Sequence, residues 1–253
     1  MKDFVKVYDD EIQVNSYLKA KDLQMPEQSI LNKYSDKIKG SVLLDVGIGT
    51  GRTTYHLSKI ANKYTGIDIS QGMINGANAN FKNQNIDFQV GDARNMSIFK
   101  DNTFDVIFFS FNGLDHVKTD ERILFFNEVK RICKNDALLV FSTHNILNIP
   151  LLMRLKISFH PLIFYDYFFK YLKLKFYNMG VNWSNKKVVK INDGVHNFGF
   201  NLTYIDPTYQ KELLESYSFR EVCCFGYPNG NEINTSDLLK TTDPWIYFSC
   251  KVN

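Results

Sequence analysis

The chain has no apolar run long enough to cross a bilayer. Its opening residues, Met1-Lys2-Asp3-Phe4-Val5-Lys6, lack the apolar core of a secretory leader. Its four cysteines, Cys133, Cys223, Cys224 and Cys250, show neither the paired spacing of metal ligands nor the density of a disulfide framework. No metal is therefore expected, and a reducing, cytoplasmic setting is. Internal repeats and low-complexity stretches are missing too. So is a strong charge of either sign, with 30 Lys/Arg against 27 Asp/Glu. Near-neutrality without a known nucleic-acid module argues against DNA or RNA as a partner. What is present is ordinary globular chemistry: 253 residues, 44% hydrophobic and 23% charged. That length suits one α/β domain carrying an insertion.

Hydrophobic runs and amphipathic stretches alternate. Pro26 opens a helical pattern through Ile30, Leu31, Tyr34 and Ile38, with Gly40 at its end. Ser41–Val46 reads as a buried strand, and a glycine-rich turn leads to a helix near Arg52–Asn62. A strand over Lys63–Ile69 follows, then a helix over Gln71–Phe81 capped by Ser70. Strands are expected at Ile86–Val90, Phe104–Ser110 and Ala137–Ser142, with a helix over Glu121–Lys134 between the last two. Repeated strand–helix units imply a parallel sheet with helices on both faces. After residue 200 the rhythm resumes. Asp206-Pro207 caps a helix to about Tyr217, and strands at Glu221–Phe225 and Trp245–Val252 form an antiparallel pair.

The chemistry concentrates where the first strand ends, in Asp45-Val46-Gly47-Ile48-Gly49-Thr50-Gly51-Arg52. Glycines between a strand and a helix let a ligand approach the backbone closely. Asp68, 21 residues after Gly47, ends the second strand and suits the hydroxyls of a ribose. A dinucleotide site wants its third glycine at position 52, which is Arg, whereas here it stands at 51. Asp45 at the strand end suits an ammonium group and opposes a pyrophosphate. The pattern therefore favours an adenosine bearing a cationic amino-acid tail. Asp92, after the third strand, suits an adenine amino group, although an Asp in a polar turn is common anywhere.

With these elements the chain resembles the class I S-adenosylmethionine-dependent methyltransferases over Leu43–Ser142 and again over the last fifty residues. The resemblance implies a doubly wound, mostly parallel seven-stranded sheet with an antiparallel final strand and an inserted helical, aromatic lid after strand five. It implies S-adenosylmethionine as cofactor, held by Asp45, Gly47, Gly49, Gly51, Asp68 and Asp92. Ala93 stands beside Asp92, Ile69 and Met73 sandwich the adenine, and Ser110 closes the fourth strand, Phe104-Asp105-Val106-Ile107-Phe108-Phe109. Ile48 departs from the Cys or Ser that many relatives carry there, a change a backbone-read turn tolerates. The expected layout is one domain: a helical cap over 1–40, a cofactor-binding core over 41–145, a lid over 146–202, and a closing helix and strand pair over 203–253.

Methyl transfer needs alignment and water exclusion, and a base when the acceptor is a hydroxyl or protonated amine. His116 is the first candidate, Asp115 and His144 the next, and His196 reaches in from the insertion. His56 and His160 read as surface or structural residues. Residues 151–190 hold ten aromatics, eight Lys/Arg and one acid, Asp166. Phe164, Tyr167, Phe168, Tyr171 and Leu172 are expected to form an apolar helical face packed on the domain, with a solvated basic edge. As an acceptor lid this segment suits a small molecule bearing phosphate, and Phe111-Asn112-Gly113 resembles enzymes acting on sugars or amines. The alternatives are peripheral membrane contact through 151–190 with a lipid, quinone or amine acceptor, a nicotinamide-dependent oxidoreductase, and a non-catalytic binding module.

Overall fold

The computed structural model describes residues 4–82, 84 and 86–253. The opening residues Met1, Lys2 and Asp3 lie outside it. Its sheet contains β1 (Val42–Val46), β2 (Lys63–Asp68), β3 (Asp87–Val90), β4 (Phe104–Phe109), β5 (Cys133–Asn145), β6 (Val188–Ile191), β7 (Leu202–Ile205), β8 (Arg220–Tyr227), β9 (Glu232–Ile233) and β10 (Trp245–Lys251). The spatial order is β3-β2-β1-β4-β5-β10-β8-β9. The first five strands of that path run parallel, and β10 then lies antiparallel between β5 and β8.

Alternating residues of each central strand feed two cores. Leu44, Ile107, Leu139 and Phe248 pack on one face with Phe125, Phe126 and Val129 of the helix Arg122–Ile132. Leu43, Val106, Val140 and Tyr247 pack on the other with Ile30, Ile38 and Leu57. Burial on both faces explains why β1 and β4 read as near-continuous apolar runs rather than alternating ones.

The predicted helix from Pro26 is two, Met25–Lys33 and Ser35–Ile38, joined at Tyr34. Strand five is longer than Ala137–Ser142, and its extension matters. β4 ends opposite Phe141, leaving one edge of residues 142–145 open, and β7 pairs there through His144 and Asn145. The insertion is thus not purely helical. Its β6–β7 hairpin extends the main sheet beyond the carboxyl end of β4. The short, mixed runs Val188–Ile191 and Leu202–Ile205 carry too little alternation to signal this.

The insertion also differs from expectation at its long helix, Pro161–Tyr177, where only Leu174 is buried. The apolar face expected to pack on the domain is only partly covered: Phe164, Tyr167 and Phe168 each remain 37% exposed and Leu172 43%.

The turn after β1 is tightened by rings on both sides. Gly51 has φ +92°, and a Cβ there lies 2.6 Å from the Phe81 ring. Gly40 has φ +73° with nothing within 4 Å. Replacing Gly51 with Ala is expected to cost about 2–4 kcal/mol from backbone strain plus overpacking. Gly40→Ala, with strain alone, is expected to cost about 1–2 kcal/mol. Urea unfolding of the two variants checks the difference.

Candidate active site

β1 and β2 deliver the glycine turn and Asp68 to the carboxyl edge of the sheet, where open α/β sheets bind ligands. Gly47 has φ +66°, and a Cβ there meets the Phe109 ring at 2.8 Å. The same ring presses on Gly113 in the loop after β4. Asp68 is buried. Its Oδ2 accepts from the Gly49 N–H at 2.8 Å and its Oδ1 from the Ser70 N–H at 2.9 Å. Burial raises its pKa, against the pull of these two amides. Each oxygen retains acceptor capacity for a ligand hydroxyl.

These groups open into a cavity of about 270 Å³. Of the predicted cofactor residues, Gly47, Gly49, Asp68, Ile69, Met73, Asp92, Ala93 and Ser110 line it. Of the predicted catalytic residues, Asp115 and His116 do. Three predicted residues stand apart. Gly51 packs under Phe81. Asp45 is buried behind the turn, where its Oδ2 accepts from Thr53 Oγ1 at 2.5 Å and the Tyr64 hydroxyl at 2.8 Å. Burial pushes its carboxyl up to about 7 despite those donors. His144 lies beyond the cavity, stacked on Tyr204 with ring centroids 4.7 Å apart.

Asp92 lines the cavity, but its carboxylate is claimed by Arg94, whose Nη2 donates at 2.6 Å and which also reaches Glu121. Burial raises the Asp92 pKa, and the Arg94 contacts outweigh it and leave the pKa lowered. The signal was visible at i+2, where an Arg follows an Asp in a turn. Asp115, in the turn Gly113–His116, is buried and serves His144 instead of solvent. It accepts from the His144 N–H and Nδ1, both at 2.7 Å, and from Thr143 Oγ1 at 2.5 Å. Arg122 stands 3.6 Å away. This fixes the loop to β5 and sets the His144 Nδ1–H as donor.

Sequence reasoning gave no role to Tyr8 and Tyr17, which line the cavity from the N-terminal helices Phe4–Tyr8 and Glu11–Tyr17. The Tyr8 hydroxyl lies 3.2 Å from His116 Nε2 and 3.3 Å from His196 Nε2. Phe200 packs edge-on to both histidines. His196 does not line the cavity; it meets His116 through the Tyr8 hydroxyl. Lys118, Lys190 and Asn201 line the cavity as well. His56 bonds the Lys21 carbonyl, and His160 is exposed.

A second missed element is Glu27. It forms a two-pronged ion pair with Arg52 at 2.6 and 2.7 Å, buried beside the glycine turn. Glu27 also caps its own helix through the Gln24 N–H. The Arg that broke the dinucleotide pattern therefore ties the N-terminal helix to the turn.

Residues 43–136 match the family model described as a methyltransferase domain. The solved structure of PH0226 protein from Pyrococcus horikoshii superposes over the full length of both chains at TM-score 0.61 and 22% identity. An S-adenosylmethionine-dependent methyltransferase from Mesorhizobium loti superposes at TM-score 0.62 and 16% identity, covering 89% of this chain and 97% of that one. The chain has the class I S-adenosylmethionine-dependent methyltransferase fold. A putative methyltransferase of Bacillus subtilis, YqeM, is 30% identical over 105 residues, 41% of this chain and 42% of that protein. The matches span about half the length of the curated relatives.

Within this methyltransferase fold His116, beside the Tyr8 hydroxyl, carries its own pH signature. Burial drives the His116 pKa down to about 4, reinforced by His144 and His196 and opposed by Asp115 and Asp193. In an unfolded chain an imidazole titrates near 6.5. The neutral ring's contribution is therefore complete above pH 6.5 and is lost as pH falls toward 4, because the unfolded chain takes up the proton first. Thermal melts of the protein and of His116→Asn are expected to diverge in slope through that window, with the variant the flatter.

Proposed function

We propose that this chain is an S-adenosylmethionine-dependent methyltransferase acting on a small polar acceptor. The observation that carries the reading is the donor and acceptor set at the turn. A buried carboxylate with spare acceptor capacity faces the cavity, beside glycines whose missing side chains leave room for a nucleoside. Asp68 would hold the ribose hydroxyls, Ile69 and Met73 would flank the base, and the backbone at Gly47 and Gly49 would lie along the amino-acid tail. When bound, the cofactor supplies a methyl group on a positively charged sulfur.

Asp45, enclosed by hydroxyls, acts through the turn rather than on a ligand. The residues of the β4 loop and the cluster around Tyr8 do the rest. Tyr8 and His116 line the cavity, and His196 and Phe200, packed behind them, would help them exclude water. His116 lines the cavity in its neutral form and is the candidate acceptor for a proton from a hydroxyl or ammonium. Asp115 acts as a positioning residue, holding the loop against His144. For the acceptor, the tyrosine rings suit a sugar face, and Lys118 and Lys190 suit a phosphate or other anion. A sugar or sugar nucleotide hydroxyl or amine presents both.

Asp68→Ala is expected to weaken S-adenosylmethionine binding by about tenfold or more, the loss of charge-assisted hydrogen bonds to two hydroxyls. Asp68→Asn, which preserves shape but loses the charge, is expected to fall between. Calorimetric titration of folded protein with S-adenosylmethionine, and separately with NADH, checks this. Binding of NADH in its place would overturn the reading in favour of an oxidoreductase. Cofactor binding without turnover on a broad sugar and amine panel favours a non-catalytic module.

A further inference from the structure

The helix Pro161–Tyr177 presents an apolar stripe to solvent. Leu162, Tyr165, Phe169, Leu172 and Phe176 recur at intervals of three and four residues, so they share one face. Their exposures are 72%, 60%, 42%, 43% and 70%. The approach to the helix continues the surface with Ile157 and Phe159, the latter fully exposed. A contiguous apolar surface of this kind on a folded protein marks an interaction site.

Charge decides what covers it. Lys170 and Lys173 flank the stripe on one side, Lys175 on the other, and Arg154 and Lys156 precede it, all exposed. Asp166 is the one acid from 151 to 190. A second copy of the chain docking by the same face would bring two sets of these cations together. An anionic bilayer surface neutralises them while its acyl boundary takes the rings and leucines. No helix among the described residues is long and apolar enough to cross a membrane, which leaves an in-plane seat for this one.

The placement gives the contact a purpose. The carboxyl end of the helix packs into the cluster that backs Tyr8, a cavity-lining residue. Leu174 packs in the cluster that contains Phe200 and Tyr204, with Tyr8 against it. Tyr177 stacks on Phe198 at 4.8 Å, and the Asn178 amide exchanges hydrogen bonds with the Asn192 backbone at 2.8 and 2.9 Å. We infer that the helix Pro161–Tyr177 seats this protein on an anionic membrane surface, near the Tyr8–His116–His196 cluster.

Co-sedimentation with phosphatidylcholine vesicles, with and without phosphatidylglycerol, tests this on the full chain. Binding to the anionic vesicles is expected to exceed that to neutral ones by about tenfold or more, and to fall at high salt. Leu162→Asp with Phe169→Asp is expected to abolish it, and Lys170→Glu with Lys173→Glu to remove the preference for anionic lipid. All four side chains are exposed, so circular dichroism and S-adenosylmethionine titration should match the parent. Phe169→Trp adds a direct reading, a blue shift of its emission on anionic vesicles. Absent or charge-independent vesicle binding overturns the inference. So does light scattering that shows a dimer dispersed by the Asp substitutions, which would assign the stripe to a second copy. None of these readouts depends on methyl transfer, so the membrane inference and the enzymatic reading fail separately.

Discussion

The structure turns on the three glycines, Gly47, Gly49 and Gly51, where β1 meets the next helix. Phe109 presses on this turn from β4 and Phe81 from the helix after β2, so Gly47 and Gly51 admit no Cβ without displacement. The Gly49 amide then donates to Asp68 across the β1–β2 pair. Two rings and one carboxylate thereby fix a loop that would otherwise have many conformations. The same contacts leave a cavity bordered by the backbone of Gly47 and Gly49, by Asp68 and by the Phe109 ring. Glu27 and Arg52 brace it from outside. A pair this enclosed contributes orientation more surely than net stability, since both ions lose their hydration.

Part of the cavity wall comes from outside the α/β repeat. The N-terminal helices supply Tyr8 and Tyr17 and the insertion supplies Lys190 and Asn201, with His196 packed on Tyr8 and Phe200 on His196. They meet over the β4 loop because β5 outruns β4, and the β6–β7 hairpin fills the open edge. Three successive residues of the insertion, His196, Asn197 and Phe198, hold positive φ. Such backbone persists only where surrounding contacts over-determine it. Here those contacts are the Tyr8 hydroxyl and the stacked Tyr177 ring. The roof of the cavity is therefore held by aromatic and hydrogen-bonded contacts between distant segments.

The core of the fold was legible because it rests on local patterns. Two-sided burial makes strands apolar throughout, Ser70 and Asp206 cap the helices they precede, and the glycines stand where β1 must turn. Asp68 was legible by its distance from Gly47. The rest depends on tertiary partners that spacing does not reveal. Asp45 sits at the right strand end but finds Thr53 and Tyr64 first. Asp92 is drawn to Arg94, two residues away. His144 lies in the extended end of β5, and its ring is turned toward Asp115, 29 residues earlier. Tyr8, more than a hundred residues from His116, carries no local mark at all. The aromatic helix was read as amphipathic, correctly in composition, but the face it offers to the domain is short.

The central claim is that the turn and Asp68 form one site for a nucleoside with a cationic tail. A crystal structure of the protein with S-adenosylmethionine tests it most directly. The account predicts ribose oxygens within hydrogen-bond reach of Asp68, the base against Ile69, and the sulfonium facing the cavity beneath Tyr8 and His116. A ligand whose ribose lies away from Asp68, or whose diphosphate fills the glycine turn, would contradict it.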